Sequence, residues 1–291
     1  MEIKKFFLLF ILCFGCATQV CLYSWKEGKI CFAPQTIVET KTMNSILWED
    51  FITYLTNVQI VYLGERHGRK TDHLFQLKVA KALLERGIEL AIGLEMVMRS
   101  RQKVLDRWIA GEITEEELLN QLEWEKLWGH DFSYYRDIFW FAREEKIPLI
   151  ALNAPPGLVK KVANYGLNSL LPGEKEYIAK EIDLTNQEHR EFVEREFERH
   201  KAFEEIKGKK FNYFYEAQCV WDETMAETIA EYLKKHPNKH LLVLTGKGHI
   251  IYKFGIPERA YRRLPTSYLT VIPISSGKIE SKIGDFIYLT N

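Results

Sequence analysis

The sequence predicts an α/β fold: a mostly parallel sheet flanked by helices, with an all-helical subdomain inserted between sheet strands. Three observations carry this expectation. Apolar, β-branched runs at 59–65, 90–95, 149–153 and 240–246 alternate with stretches of helical spacing, the pattern of strand–helix–strand units. Between the third and fourth runs, residues 155–210 show only helical patterns, too long a stretch for one crossover. The 291 residues are 46% hydrophobic and 27% charged, which suits a folded core and excludes a disordered chain. With 40 Lys+Arg against 40 Asp+Glu, the chain lacks the basic footprint of a nucleic-acid binder.

Residues 1–15 read as a lipoprotein signal peptide. Lys4 and Lys5 make a basic start, and residues 6–14 are nine unbroken apolar residues. That is too short for a spanning helix of roughly 17–25 residues and right for the apolar region of an export signal. Leu12-Cys13-Phe14-Gly15-Cys16 looks like a lipobox, with Cys13 where Leu is usual, so Cys16 is the expected lipidated residue. The chain is therefore expected in the bacterial cell envelope, lipid-anchored and facing the periplasm, with ordinary secretion as the alternative. Losing Lys4, Lys5 and Glu2 leaves the charge close to neutral. In an oxidising compartment, Cys21 and Cys31 can pair within a tether over 16–43 that includes an edge strand. Cys219 sits in an apolar helical pattern and reads as a buried hydrophobe.

The α/β core is expected over 44–154 and 211–291, and the helical subdomain over 155–210. Asn44 can cap a helix over 45–56. The strand 59–65 is followed by a helix over 71–86, apolar at Leu74, Leu77, Ala80, Leu83 and Leu84 and stopped by Gly87. After the strand 90–95 comes a helix over 99–110 ending at Gly111. Thr114 and Glu117 form a capping box, a helix follows over 134–146, and the strand 149–153 comes next. Pro156 suits a first helical turn. The charged helix 186–206 carries an apolar stripe of Phe192, Val193, Phe197, Phe203 and Ile206. A helix over 211–236, the strand 240–246, a short helix opened by Pro257, and strands at 268–274 and 285–289 complete the core.

Polar residues gather where the apolar strands end. Glu65, Arg66 and His67 close the first, with His73 beyond; Glu95 closes the second; Asn153 the third; Gly246, Lys247, Gly248 and His249 the fourth. In an open parallel sheet, ligands bind outside the carboxyl ends of the strands, so parallel strands would bring all four clusters to one crevice. Two carboxylates and two imidazoles suit a divalent metal such as Zn, Mn or non-haem iron. They equally suit acid–base work without metal, or glutamates paired with Arg66 or Arg99 to hold loops.

The order of motifs resembles the ChaN-like family of haem-binding lipoproteins, within the superfamily of Tiki metalloproteases, TraB proteins and erythromycin esterases. The matching strings run from Tyr62 to His67, from Ile92 to Met96, from Ala151 to Pro155, from Ala217 to Ala226 and from Leu244 to Ile250. The string Gln218-x-x-x-Asp222-Glu223-Thr224-Met225-Ala226 is the most specific. The resemblance implies a non-enzymatic, iron-regulated lipoprotein of haem or iron uptake, with haem between the subunits of a homodimer and transport components as partners. The superfamily implies metal-type positions at Glu65, His67, Glu95 and His249. The alternative it offers is a hydrolase dependent on Mn, Co or Zn at that crevice.

Haem binding in the family implies a Tyr ligand with a His nearby from the partner. The candidate Tyr is Tyr165, beside Gly166 at the end of a helix, where it either ligates or merely closes that end. Lys160 and Lys161 are placed to meet propionates or to be solvated. His200 shares a helical face with Val193, Phe197 and Phe203, which serves as ligand, core or dimer contact. Tyr213 and Tyr215 are the reserves. The apolar stripe is expected to be covered by a neighbouring helix or by a two-fold partner.

Overall fold

The computed structural model describes residues 19–24, 28–202, 210–280 and 282–290, without the side chains of residues 200–202. The signal peptide and Cys16 lie outside the described residues. In chain order the elements are β1 (Val20–Ser24), β2 (Gly28–Phe32), β3 (Ile37–Glu39), β4 (Ser45–Ile46), α1 (Trp48–Thr56), β5 (Ile60–Glu65), α2 (Lys70–Glu85), β6 (Leu90–Met98), α3 (Gln102–Ala110), α4 (Glu115–Leu122) and α5 (Trp124–Leu127). Then follow α6 (Arg136–Glu144), β7 (Leu149–Asn153), α7 (Pro156–Tyr165), α8 (Pro172–Lys175), α9 (Gln187–Ala202), α10 (Phe211–Lys235), β8 (His240–Gly246), α11 (Ile256–Arg263), β9 (Tyr268–Ile274), β10 (Gly277–Ile279) and β11 (Phe286–Leu289).

The main sheet has eight strands in the order β4-β3-β11-β9-β5-β8-β6-β7. From β11 to β7 every neighbouring pair is parallel, while β3 and β4 add antiparallel strands at one edge. Inserting β8 between β5 and β6 puts Glu65 opposite Gly246 and Leu94 opposite Leu244. Three of the polar strand ends are thereby neighbours, which is what the crevice expectation required.

Side-chain alternation sorts the central strands between two cores. On one face, Val61, Leu63, Ile92, Leu94, Leu242 and Leu244 pack under Phe51, Val79, Leu105, Trp108 and Phe139 of α1, α2, α3 and α6. On the other, Ile60, Tyr62, Ala91, Leu241 and Val243 meet Met225, Ile229 and Leu233 of α10 and Ile256 and Ala260 of α11. Both faces are apolar because both are covered, which explains strands that read as unbroken hydrophobic runs.

The structure departs from the sequence expectations at identifiable points. The first helix begins at Trp48, not 45. The Asn44 carbonyl accepts the Glu39 N–H at 2.9 Å, closing a β3–β4 hairpin, and the N-cap is Leu47 without a side-chain cap bond. The second strand runs on to Met98, past a register shift, to pair with Asn153. The stretch read as a tether with an edge strand holds more: it contributes β3 to the main sheet and a β1–β2 hairpin paired with β10, and the hairpin is bridged by the Cys21–Cys31 disulfide that the sequence offered. Cys219 is fully buried, as expected.

The helical stretch after β7 does not project into solvent. Val159, Val162 and Ala163 of α7 share a core with Ala217 and Val220 of α10. The stripe on α9 is covered from within the chain: Val193 and Phe197 are buried, with Phe197 against the rings of Phe211 and Phe214. Phe192 meets Tyr252. That part of the stripe is therefore not a free dimer face. Phe203, Ile206 and the His200 side chain lie outside the described residues.

Candidate functional site

The strand ends build a layered polar cluster. Glu65, at the end of β5, is fully buried, and its carboxylate accepts hydrogen bonds from Tyr135 Oη and Gln76 Nε2, both at 2.8 Å. His67 Nδ1 lies 2.9 Å from Glu65 Oε1, and its ring is edge-on to Trp128 and tilted against His130, at centroid distances of 4.7 and 5.0 Å. His73 Nε2 reaches the His67 carbonyl at 3.0 Å. Glu65 thus fixes His67 by its ring, and His73 fixes it by its backbone.

Glu95 sits one strand over. Its Oε2 accepts from Thr245 Oγ1 at 2.6 Å and from the Gly246 N–H, and Oε1 lies 3.3 Å from His249 Nε2. His249 Nδ1 is 2.6 Å from Asp222 Oδ1, and Asp222 Oδ2 faces His189 Nε2 at 3.5 Å. His189 in turn is 3.1 Å from the Arg259 guanidinium. The line from Glu95 through His249 and Asp222 to His189 therefore ties the crevice to α9, α10 and α11. Asn153 donates to the Glu95 carbonyl at 2.9 Å and so braces β6 against β7.

The charge states follow from these contacts. Burial alone would lower the His249 imidazole, but Glu95 and Asp222 on either side hold it well above its usual value. Burial would raise Glu95, yet the His249 charge brings it down to about 2. Asp222 is lowered likewise against its burial, first by His249. In His67 the hydrogen bond to Glu65 and the Glu95 charge outweigh burial and raise the pKa. Burial drives His189 the other way, to about 4, leaving it neutral near pH 7. His249 is thus a held cation, and both its ring nitrogens are spent on carboxylates.

The four sequence-selected positions Glu65, His67, Glu95 and His249 do converge. Their oxygens and ring nitrogens are nevertheless largely committed to protein partners. Among the described residues no group of three or more His, Cys, Asp and Glu side chains is disposed to hold a metal ion. The metal reading finds no support in this geometry. Sequence reasoning missed Tyr135, Gln76, Trp128, His130 and the roles of Asp222 and of Gln218, whose Nε2 lies 3.1 Å from His249 Nδ1. Asp222 left a signal: a carboxylate on the apolar face of α10, inside the most specific string. Tyr135 and Gln76 left none, because their partner Glu65 is distant in sequence.

The haem candidates lie at the far end of α7. Tyr165 is 69% exposed. Lys160 is exposed, whereas Lys161 is ion-paired with Glu174 of α8 at 2.6 Å. Leu171 and Tyr177, on either side of Glu174, are also exposed large side chains. Gly166 has φ +84° and lies so near the Tyr213 ring that a Cβ there would sit 2.8 Å from it, so Tyr213 is half-buried beside Tyr165. Tyr215 is fully buried, with its hydroxyl on the Asn186 carbonyl at 3.2 Å, which removes it from the reserves.

The family model for haem-binding uptake proteins of the ChaN type, Tiki superfamily, matches residues 51–260. A structure of ChaN of Campylobacter jejuni, described as binding heme cofacially, superposes with a TM-score of 0.71 at 22% identity, covering 93% of this chain and 99% of that one. An open-conformation structure of the erythromycin esterase EreC gives 0.48 at 16% identity, over 82% of this chain and 76% of that one. A Bacillus cereus protein gives 0.44 at 16% identity, over 82% and 71%. Comparison with curated protein sequences finds no match.

Proposed function

We propose that this chain, which belongs to the ChaN family of haem-binding uptake proteins in the Tiki superfamily, binds ferric haem at the outer end of α7 through Tyr165. The observation that carries the placement is the exposed phenol of Tyr165. A tyrosine is a competent haem ligand, and its hard anionic oxygen favours ferric iron. The residues around it fit the group. Lys161 lies one helical turn from Tyr165 and grips Glu174, which also accepts the Leu171 N–H at 2.7 Å. Tyr165, Leu171 and Tyr177 therefore offer apolar surface to a flat macrocycle, and the exposed charge of Lys160 suits a propionate.

The test is titration of the protein with hemin. Wild type should give a saturable Soret shift, Tyr165→Phe an altered ferric spectrum, and His67→Ala an unaltered one. An unaltered spectrum in Tyr165→Phe moves the ligand to Tyr213, and no Soret shift in wild type removes the haem reading. The physiological setting belongs to the same proposal: a homodimer enclosing haem, handing it to transport components, anchored through acylated Cys16 in the bacterial envelope and facing the periplasm. Cys16→Ala should release the protein from the membrane fraction and abolish palmitate labelling. An unlabelled, soluble wild type contradicts the anchor.

A further inference from the structure

We propose that the outer face of the small β10-β1-β2 sheet is a membrane-contact surface that lies on anionic phospholipid headgroups beside the lipid anchor. It rests on the reading of Cys16 as that anchor. Side-chain alternation gives this sheet two unlike faces. Inward, Val20 and Leu22 of β1 and Ile279 of β10 are buried in the core shared with α10 and α11, and Ile30 and Phe32 of β2 pack against it. Outward stand the Cys21–Cys31 disulfide, Tyr23, Lys29 and Lys278.

The strand register makes a row of the last three. Tyr23 pairs with Lys29 on one side and with Lys278 on the other, so a phenol flanked by two ammonium groups runs straight across the sheet. Tyr23 is 56% exposed, and both lysines are exposed. Neither lysine has an ion-pair partner among the described residues. The three strands hold no carboxylate, in a chain that balances 40 Lys+Arg against 40 Asp+Glu. Glu280, which follows β10, is hydrogen-bonded to Tyr252. The face is thus locally cationic.

The anchor brings this face to the bilayer. Val20 opens β1 four residues after Cys16, and four residues reach at most about 14 Å. The inner face is occupied by the protein core, so the outer face is the one free to lie down on lipid. Lying flat places both ammonium groups inside the field of an anionic leaflet, which decays over about 8 Å at physiological salt. Each lysine so placed gains about fivefold in partition. The amphipathic ring of Tyr23 suits the headgroup level. An acyl anchor joined to a basic surface is a recognised two-signal combination for membrane attachment. The disulfide ties β1 to β2 beside the anchor, so contact through this face sets how the whole chain is oriented. Lysines on both edge strands also discourage pairing with another chain, which keeps the face open for lipid.

The experiment uses the full chain, purified from membranes in detergent and placed in vesicles of equal parts phosphatidylethanolamine and phosphatidylglycerol, or of phosphatidylcholine alone. Lysines are acetylated with a membrane-impermeant reagent and read by mass spectrometry. The reference is Lys126 of α5, 76% exposed, whose helix packs through Trp124 on the opposite face of the main sheet. In the anionic vesicles Lys29 and Lys278 should react about fivefold more slowly than in detergent, relative to Lys126, and in phosphatidylcholine they should not slow. The double variant Lys29→Glu/Lys278→Glu should restore hydroxyl-radical labelling of Tyr23 in anionic vesicles to its detergent level, with Tyr261, 50% exposed, as reference. If that variant does not fold, the wild-type lysine footprint decides alone. Equal slowing in phosphatidylcholine would overturn the assignment to anionic lipid. Slow reaction already in detergent would mean that another protein copy covers the face, and would overturn it too. The mass of the N-terminal peptide separates the two readings: an unacylated Cys16 overturns the anchor and this face with it, whereas an acylated chain whose Lys29 and Lys278 react like Lys126 overturns the face alone.

Discussion

Gly246 isolates the packing of the crevice from its chemistry. Its backbone is at φ −54° and ψ 134°, a region open to any residue, so Gly246→Ala introduces no backbone strain. The new Cβ would stand 2.9 Å from His67 Cε1, 3.0 Å from Nε2 and 3.5 Å from Glu95 Oε2. His67 cannot retreat freely, because Glu65 holds one side of its ring and Trp128 and His130 press on it. Overpacking of this kind costs about 1–3 kcal/mol, offset by about 0.4–1 kcal/mol from the stiffer unfolded chain. The expected net loss is about 1–2 kcal/mol, a fall of roughly 2–8 °C in melting temperature at this chain length. Differential scanning calorimetry or urea unfolding measures it. In a His67→Ala background the obstacle is gone, so the same substitution should be neutral or slightly stabilising, a coupling that a double-mutant cycle reads directly. A Gly246→Ala protein that melts higher than wild type, or one equally destabilised with and without the His67 ring, refutes the reasoning.

Three further outcomes concern groups elsewhere in the chain. His189, lowered to about 4 from 6.5 by burial and by the Arg259 charge, with Asp222, Glu223 and His249 also facing it, takes up a proton in the unfolded chain before it does in the folded one. Its contribution is full above pH 6.5 and is lost as pH falls toward 4, on the order of 2–3 kcal/mol. Glu95, lowered to about 2 from 4.5, adds a loss in the same direction between pH 4.5 and 2. Urea unfolding as a function of pH should therefore weaken across this whole acid range, and a flat profile from 6.5 to 4 would contradict the His189 assignment. Arg259→Met should cost about 3 kcal/mol in urea unfolding, because it strips a buried cation from buried Glu223 while Arg262 and Arg263 remain on that carboxylate. Reducing the Cys21–Cys31 disulfide, which closes a separation of 10 residues, should cost about 2–3 kcal/mol by loop entropy, and melting with and without reductant would show it.

The parallel core was legible because both its faces are covered. Strands such as Leu149–Asn153, His240–Gly246 and Tyr268–Ile274 stand out as predominantly apolar runs, and the structure begins and ends them where the sequence predicts. β10 escaped notice, and β1 and β2 showed only as a tether with an edge strand and a possible Cys21–Cys31 pair, because their hold comes from outside the local pattern: a disulfide, and pairing of Leu22 with Gly277, far along the chain. The crevice was half legible. Strand ends announce Glu65, His67, Glu95 and His249, since topology alone brings them together. Their partners do not announce themselves. Tyr135 sits in a helical connection 70 residues from Glu65, and a lone Tyr at that point reads as core. The α9 stripe left two covers open, because an amphipathic pattern shows that a face is covered, not by what; for Val193 and Phe197 the cover is α10 of the same chain.

The strand-end crevice and the proposed haem site lie at opposite ends of one element. Pro156, the first residue of α7, lines the crevice, and Tyr165 is the last residue of the same helix. Ten helical residues span about 15 Å, so a macrocycle on Tyr165 stands a helix length away from the crevice. The helix between them is anchored on its inner side by Val159 and Val162 against α10, the element that also supplies Asp222 behind His249. α10 is thus the common support, with a rigid apolar seam under one site and a carboxylate under the other. A substitution at either end of α7 should act on its own site alone, whereas loosening the seam, as Val162→Ala would, should weaken both. Separable effects at the ends with joint effects at the seam are what distinguish a haem site and a crevice that share one scaffold from a single extended site.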